Sequence, residues 1–331
     1  MSSQRRSKDR NQAANARTAA RRGVPAPPST PPPTSQRPTS KRPRNGRSWP
    51  ITAIVGGIIV LVIVAMGVVK FVLPLTGSAT APSGSADAVS ATVMQALTSV
   101  SDTTLNQVGQ GTAQPLPIST GAPILKGASG HPLIVYEGAE YCPFCAAERW
   151  GLVVALSRFG KFSNLHTSRS ASDDVYPSTP TFTFVGSTYQ SDYIEFSPVE
   201  MQSNQRTSTG YATLQTPTAQ QRQLLRTYDA PPYIAAQNAG SIPFLDLANQ
   251  FIVSGSQFSP GSLDNRTWDQ IAGNLNNPST DDAKAIVGSA NQITAAICHA
   301  TGDTPANVCG QPAIKTLEAK LSAQAAPKAG Q

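Results

Sequence analysis

Apolar positions along the chain fall into three regimes. Ile51 to Val69 (ITAIVGGIIVLVIVAMGVV) is nineteen residues without a charge, followed by Lys70 and the apolar stretch Phe71 to Leu75. A bilayer core takes about 20 such residues, and Ile and Val on every face leave no polar side for a globular surface. The pattern predicts a membrane-spanning helix over 49–75. Beyond it, Val89, Val93, Leu97 and Val100 recur at helical spacing and predict an amphipathic helix ending near Gly109 and Gly111. The proline- and glycine-rich stretch Gln114 to Gly130 leaves room for one short edge strand around Leu116 to Ile118.

Pro132 to Glu137 is a continuous apolar run between turn residues, as in a strand buried on both faces. The helix after it places Cys145, Leu152, Leu156 and Phe159 on one side and turns Glu148, Arg149 and Arg158 away, with Gly151 weakening it. Strands are predicted at Asn164 to Ser168, Thr181 to Gly186 and Asp192 to Val199, and a helix at Thr218 to Tyr228. Ile242 to Leu247 and Phe251 to Val253, joined by a tight turn at Asn249-Gln250, read as a hairpin with a proline at its entry. Helical segments around Thr267 to Leu275, Asp281 to Ala300 and Ile314 to Ala323 finish the chain. No internal repeat is present.

Charge changes the picture at the N-terminus. The formal charge of the 331-residue chain is +7, yet residues 1–49 carry twelve Lys/Arg against the single Asp9, while 71–331 carry thirteen basic and eighteen acidic residues. The basic, proline-rich stretch 1–48 has no apolar periodicity to bury, which predicts a disordered tail. It lacks interleaved aromatics before Trp49, so no nucleic-acid partner is expected. Positive charge before the apolar run and only Lys70 close behind it orient the span with the N-terminus cytoplasmic and the C-terminal body outside. Ala79-Thr80-Ala81 has the form of a signal-peptide cleavage site. The long n-region, the length of the apolar run and Pro82 favour an uncleaved anchor instead. The expected organisation is a cytoplasmic tail (1–48), a transmembrane helix (49–75), a small, polar, flexible linker (76–88) and an extracytoplasmic domain (89–326) in a single-pass protein of the cell membrane, with the lipid bilayer as its first partner.

Candidate chemistry centres on Cys142-Pro143-Phe144-Cys145. Two cysteines spaced C-x-x-C after a buried strand put the first sulfur at a helix N-terminus, where unpaired N–H groups and the helix dipole stabilise a thiolate. One helical turn brings both sulfurs together, so a mixed disulfide on the first is quickly resolved by the second. Pro143 in the first turn loses no needed hydrogen bond. The competing reading is zinc, with Cys298, His299 and Cys309 completing a four-ligand site. Zinc half-sites sit on short knuckles, whereas this pair opens a long helix. Cys298 and Cys309, separated by ten residues that include Gly302, Asp303 and Pro305, suit a structural disulfide in preference to a second redox pair relaying electrons to Cys145.

His131, His166 and His299 are far apart with no triad-like context and read as ordinary surface residues. Glu137, Glu140 and Glu148 flank the dithiol in sequence; their charge would oppose the helix dipole, or they form solvated faces. Asn265-Arg266-Thr267 fits a glycosylation sequon.

A strand, C-P-F-C, a helix and, far downstream, Ile242-Pro243 opening a hairpin strand is the order found in thioredoxin-like proteins, and residues 130 to 275 resemble that superfamily. The segments EGAEYCPFCAAERW and SIPFLDLAN, behind a basic-tailed anchor, are similar to an uncharacterised family of membrane-anchored thioredoxin-like proteins, a domain of unknown function. The resemblance implies an α/β fold: a thioredoxin-like sheet flanked by helices, with an insertion between the CxxC helix and the cis-Pro hairpin, preceded by one transmembrane helix. It implies Cys142 as attacking thiolate, Cys145 as resolving thiol, Pro143-Phe144 as the pair that tunes potential, and Pro243 as a cis-proline that presents a backbone edge to substrate. Tyr141 stands where common thioredoxins have Trp.

The expected function is a thiol-disulfide oxidoreductase with no bound cofactor, acting on thiols and disulfides of secreted or surface proteins. It would be recycled by a membrane redox partner, for instance a quinone-linked one. The alternative is a non-enzymatic binding module that uses the same scaffold to hold a partner at the membrane.

Overall fold

The computed structural model describes residues 87–327. The basic tail, the expected membrane span over 49–75 and residues 76–86 of the expected linker lie outside the described residues. Asp87 and Ala88, placed in the linker by their composition, bond instead to the strand at His166–Arg169, through Asp87 O to Thr167 N and an Ala88–His166 bridge. Among the described residues no helix is long and apolar enough to cross a membrane.

The body is a mixed α/β structure built on a five-stranded sheet flanked by helices. β2 (Leu133–Gly138) lies at its centre with all six residues buried. β7 (Glu195–Glu200) runs parallel to it on one side. On the other side come β10 (Phe244–Leu247), antiparallel to β2, then β11 (Phe251–Ser254) and the two-residue edge strand β1 (Ile118–Ser119), giving the order β1-β11-β10-β2-β7. The turn between β10 and β11 falls on Ala248 and Asn249, both at positive φ, one residue earlier than Asn249-Gln250. Asp246 Oδ1 accepts from Asn249 N (2.6 Å) and closes that turn.

Alternation along β2 sorts its residues into two cores. Ile134 and Tyr136 join Leu245 and Leu247 under α3 (Pro143–Leu156) and α6 (Gly288–Thr301), forming the larger core. Leu133 and Val135 join Phe244 and Ile252 on the opposite face, where α4 (Ala219–Tyr228) contributes Leu224. Thr218 and Gln221 close the start of α4 as a reciprocal capping box.

Every residue of α3 except Phe144 is buried, including Glu148 and Arg149, so the expectation that these two face away is corrected. A helix enclosed on all sides has no solvent face to offer them. Arg158 is half-buried and reaches Thr294 Oγ1 of α6 (2.7 Å).

Gly151 is what permits that enclosure. α6 crosses α3 so closely that a Cβ at Gly151 would run into the Ser289 side chain, whose hydroxyl is committed to Gln257 Oε1 (2.9 Å). Gly151→Ala should therefore lower stability by about 1–3 kcal/mol through overpacking, although alanine gains about 1 kcal/mol of helix propensity. Denaturant titration checks the sign.

Between α3 and α4 lie three two-stranded ribbons. β3 (Gly160–Ser163) pairs with β6 (Thr188–Ser191), β4 (His166–Arg169) with β5 (Pro180–Thr183), and β8 (Gln202–Thr207) with β9 (Gly210–Thr213). The expected N-terminal helix is two, α1 (Ala91–Thr98) and α2 (Asp102–Val108), because Ser101 caps a new start by accepting from Thr104 N. The segment read as one helix over 281–300 opens helically at Asp281, passes through π-helix at Ala283–Val287 and continues as α6. Short α5 (Trp268–Ala272) precedes it, and α7 (Ala306–Cys309) and α8 (Pro312–Ser322) follow.

Candidate functional site: a dithiol at a helix start

The chain leaves β2 at Gly138, turns through Ala139 to Tyr141, and enters α3 with Cys142 as its N-cap and Pro143 in its first turn. Cys142 N donates to Ala139 O (3.3 Å) and Ala146 N to Cys142 O (3.0 Å), which fixes the turn. The cap itself is the sulfur: Cys142 Sγ accepts from Cys145 N at 3.2 Å. Both cysteines are free thiols; Cys142 is 5% exposed and Cys145 fully enclosed.

That difference separates the two chemically. A hydrogen bond from the Cys145 thiol holds Cys142 below the ordinary thiol range; burial opposes this, while the Cys145 N–H and the Arg149 charge assist it. Burial, followed by its donation to Cys142, pushes Cys145 well above that range. Negative charge is thus favoured on the sulfur nearer solvent.

Pro243 lies across from it. The Ile242–Pro243 bond is cis, and the Ile242 carbonyl stands 3.8 Å from Cys142 Sγ. Pro243 O accepts from Gly255 N (2.8 Å), tying the turn to the end of β11. Beside it a cavity of about 340 Å³ opens between Ser241, Gly255, Tyr233, Ile234 and Leu116.

The ribbons supply a rim. Tyr141 stacks on Tyr211 of β9, with centroids 4.2 Å apart and planes at 5°. Arg206 covers the other side of Tyr211 (4.3 Å) and pairs with Asp173 (2.7 Å), which also accepts from the Tyr211 hydroxyl (3.1 Å). Phe144, 40% exposed, meets the edge of Tyr176 (5.8 Å), and Val175 beside it is 73% exposed. Two backbone bonds, Glu140 N to Gln202 O and Ala171 N to Tyr141 O (2.8 Å each), fasten the dithiol turn to these segments.

Behind the pair lies an ion pair that reading the sequence missed. Arg149 donates through Nε to Glu200 Oε1 (2.7 Å) and through Nη2 to Glu200 Oε2 (2.5 Å), both side chains being 0% exposed. Burial works against the Arg149 charge and raises Glu200 from its ordinary value, while the bidentate contact opposes both effects and keeps the guanidinium protonated. Glu148 is buried as well, accepting from Gln257 N (2.8 Å) in a polar layer with Ser289 and Gln292. Of the other two acids expected as solvated faces, Glu137 is enclosed and Glu140 half-buried. The signal for burial was present in the AAERWGLVVAL run, which is apolar on every face, so any charge within it had to find a partner.

Residues 126–299 match the family described as a domain of unknown function, DUF929. The match spans more than half of the chain. This chain belongs to the DUF929 family. No curated protein matches it, and no solved structure does. The DUF929 region contains Cys142, Cys145, Pro243, Arg149, Glu200 and Cys298, while Cys309 and α8 lie beyond it.

Cys298 and Cys309 are bonded to each other and fully buried, joining α6 to α7. Two thiolates of the four-ligand zinc set are thereby consumed, and among the described residues no three His, Cys, Asp or Glu are grouped to hold a metal ion. Replacing both with alanine should lower stability by about 2–3 kcal/mol, the contribution of closing a loop of this length. Mild reduction sufficient to open a Cys142–Cys145 disulfide should leave the Cys298–Cys309 bond intact; reduction of both alike would overturn the structural reading.

The three histidines remain apart. His131 contacts Ser129 (3.3 Å), His166 sits on β4, and His299 lies 3.8 Å from Glu318. Asn265 is exposed, and Thr267 of the same sequon caps α5.

Proposed function

We propose that this DUF929 protein is a membrane-anchored, extracytoplasmic thiol-disulfide oxidoreductase of thioredoxin-like architecture. The observation that carries the reading is the Cys142–Cys145 pair: a helix-capping sulfur on a residue that keeps 5% exposure, favoured as thiolate, beside a fully enclosed thiol that donates a hydrogen bond to it. The topology supports it. Parallel β2 and β7, an antiparallel β10–β11 hairpin beside β2, α3 and α6 on one face and α4 on the other are the arrangement that thioredoxin-like proteins use, with the proline turn against the dithiol.

In this reading the Cys142 thiolate attacks a substrate disulfide and forms a mixed disulfide, releasing one substrate thiolate, which takes up a proton. Cys145 then attacks Cys142, the mixed disulfide breaks, and the second substrate thiol leaves. Two electrons pass from the dithiol to the substrate, and the reverse sequence oxidises a substrate dithiol. A membrane redox partner resets the pair. The apolar span at 51–69 and the basic residues before it support an anchor with the domain outside.

The exposed Phe144 and Val175 beside the dithiol favour, as second reading, a binding module that holds a partner at the membrane. One experiment separates the two. The full-length chain in detergent is incubated with a disulfide-linked fluorescent peptide, and exchange is compared between wild type and Cys142→Ser. Exchange lost with Cys142 supports the enzyme; no exchange, with a partner retained equally by both proteins, supports the module. Labelling of Cys142 in intact cells by a membrane-impermeant thiol reagent tests the orientation.

A further inference from the structure

We infer that Arg149, clamped by Glu200, is a positioning residue of the dithiol whose buried guanidinium supplies the counter-charge for the thiolate form of the pair. The inference rests on the redox reading above and names what tunes that site.

Arg149 lies one helical turn beyond Cys145 on α3 and has no solvent access. Its Nη2 donates to Ala139 O (2.8 Å), the same carbonyl that accepts from Cys142 N, so guanidinium and cysteine are tied to one peptide group. Its Nη1 has no hydrogen-bond partner. Neither has the buried hydroxyl of Tyr136, whose ring centroid lies 5.7 Å from the guanidinium carbon. A buried donor without an acceptor is left with an uncompensated desolvation penalty, so two together ask for a reason.

The reaction supplies one. To resolve the mixed disulfide, enclosed Cys145 must lose its proton in surroundings that disfavour the charged form. Its thiolate attacks Cys142 Sγ, the Cys142–Cys145 bond forms, the Cys142–substrate bond breaks, and the substrate sulfur leaves as thiolate and takes up a proton. Negative charge therefore arises at the pair itself, and the Arg149 charge favours the thiolate at both cysteines. Glu200 keeps the guanidinium in place, at the cost of cancelling part of its field.

Opposite signs test this. In the full-length chain, thiolate absorbance is titrated against pH, and the decay of a Cys142 mixed disulfide is followed at neutral pH. Arg149→Met should move the thiolate titration to higher pH and slow resolution on the order of tenfold, because resolution depends on the thiolate fraction of Cys145. Glu200→Gln, which keeps an oxygen acceptor for the guanidinium but removes the opposing charge, should move the titration to lower pH. A pair that only braces the fold would disturb both variants in the same direction, and that result, or no shift in either, overturns the inference. If Arg149→Met fails to fold, the double variant Arg149→Met/Glu200→Gln leaves neither charge buried alone and should still titrate at higher pH than wild type. Opposite shifts in a protein that never exchanges disulfides would overturn the redox reading and leave this assignment standing.

Discussion

Replacement of Cys142 by Ser is expected to abolish disulfide exchange, whereas Cys145→Ala should stop the reaction halfway and accumulate mixed disulfides through Cys142. The asymmetry follows from placement. Cys142 caps α3, takes the Cys145 N–H at 3.2 Å and retains a sliver of solvent access, so it alone can meet an incoming disulfide. Cys145 has none and can reach only a disulfide already formed on Cys142. Serine at 142 can still cap the helix, so loss of exchange should come without loss of fold. Non-reducing electrophoresis of alkylated Cys145→Ala protein should show adducts that collapse on reduction; their absence, or adducts surviving in a Cys142→Ser/Cys145→Ala double variant, would count against the assignment.

Glu148→Gln should stabilise the protein at pH 8 by about 3 kcal/mol and have no effect near pH 4. Burial pushes the Glu148 carboxyl from 4.5 up to about 7, with only the Gln257 N–H pulling the other way. Between those values the folded chain holds a proton that the unfolded chain has released. Stability contributed by the neutral acid is therefore fully present below about 4.5 and is lost as pH rises through about 7. Glutamine is neutral throughout and its oxygen can accept from Gln257 N, so it removes the penalty of ionising a buried group, about 1.4 kcal/mol for each pH unit between the two values. Urea titrations of both proteins at pH 4, 6 and 8 should converge at the acid end and diverge steadily above it. A difference independent of pH would mean that repacking, not charge, is responsible.

The parts of the fold legible in the chain were those whose burial is written as a local pattern. β2 is a bounded apolar run, the start of α3 is marked by Cys142-Pro143, and β10–β11 is two apolar runs around a tight turn. Of the ribbons, β4 and β5 fall on the strands predicted at Asn164 to Ser168 and Thr181 to Gly186, whereas the others were harder because they are largely polar. β6 is Thr-Tyr-Gln-Ser and β8 Gln-Ser-Asn-Gln-Arg-Thr, held by strand pairing and by packing on the body and not by an alternating apolar face. The break between α1 and α2 hung on one serine hydroxyl.

At the site, the dithiol and Pro243 could be named from spacing and resemblance, but their electrostatic setting could not. Glu200 meets Arg149 across 51 positions of sequence, and Gln257 meets Glu148 across 109. Reading a charged side chain as outward-facing is a good default on an amphipathic helix. It fails on α3 because Gly151 admits α6 so closely that the helix has no outside.

The stacking of Tyr141 on Tyr211, together with the bonds from Glu140 to Gln202 and from Ala171 to Tyr141, has an engineering consequence. The loop that bears the cysteines hangs partly from the ribbon that rims it. Grafting a foreign β8–β9 hairpin to change recognition would also remove the neighbour on which Tyr141 rests, so selectivity and reactivity in this scaffold would have to be redesigned as one trait.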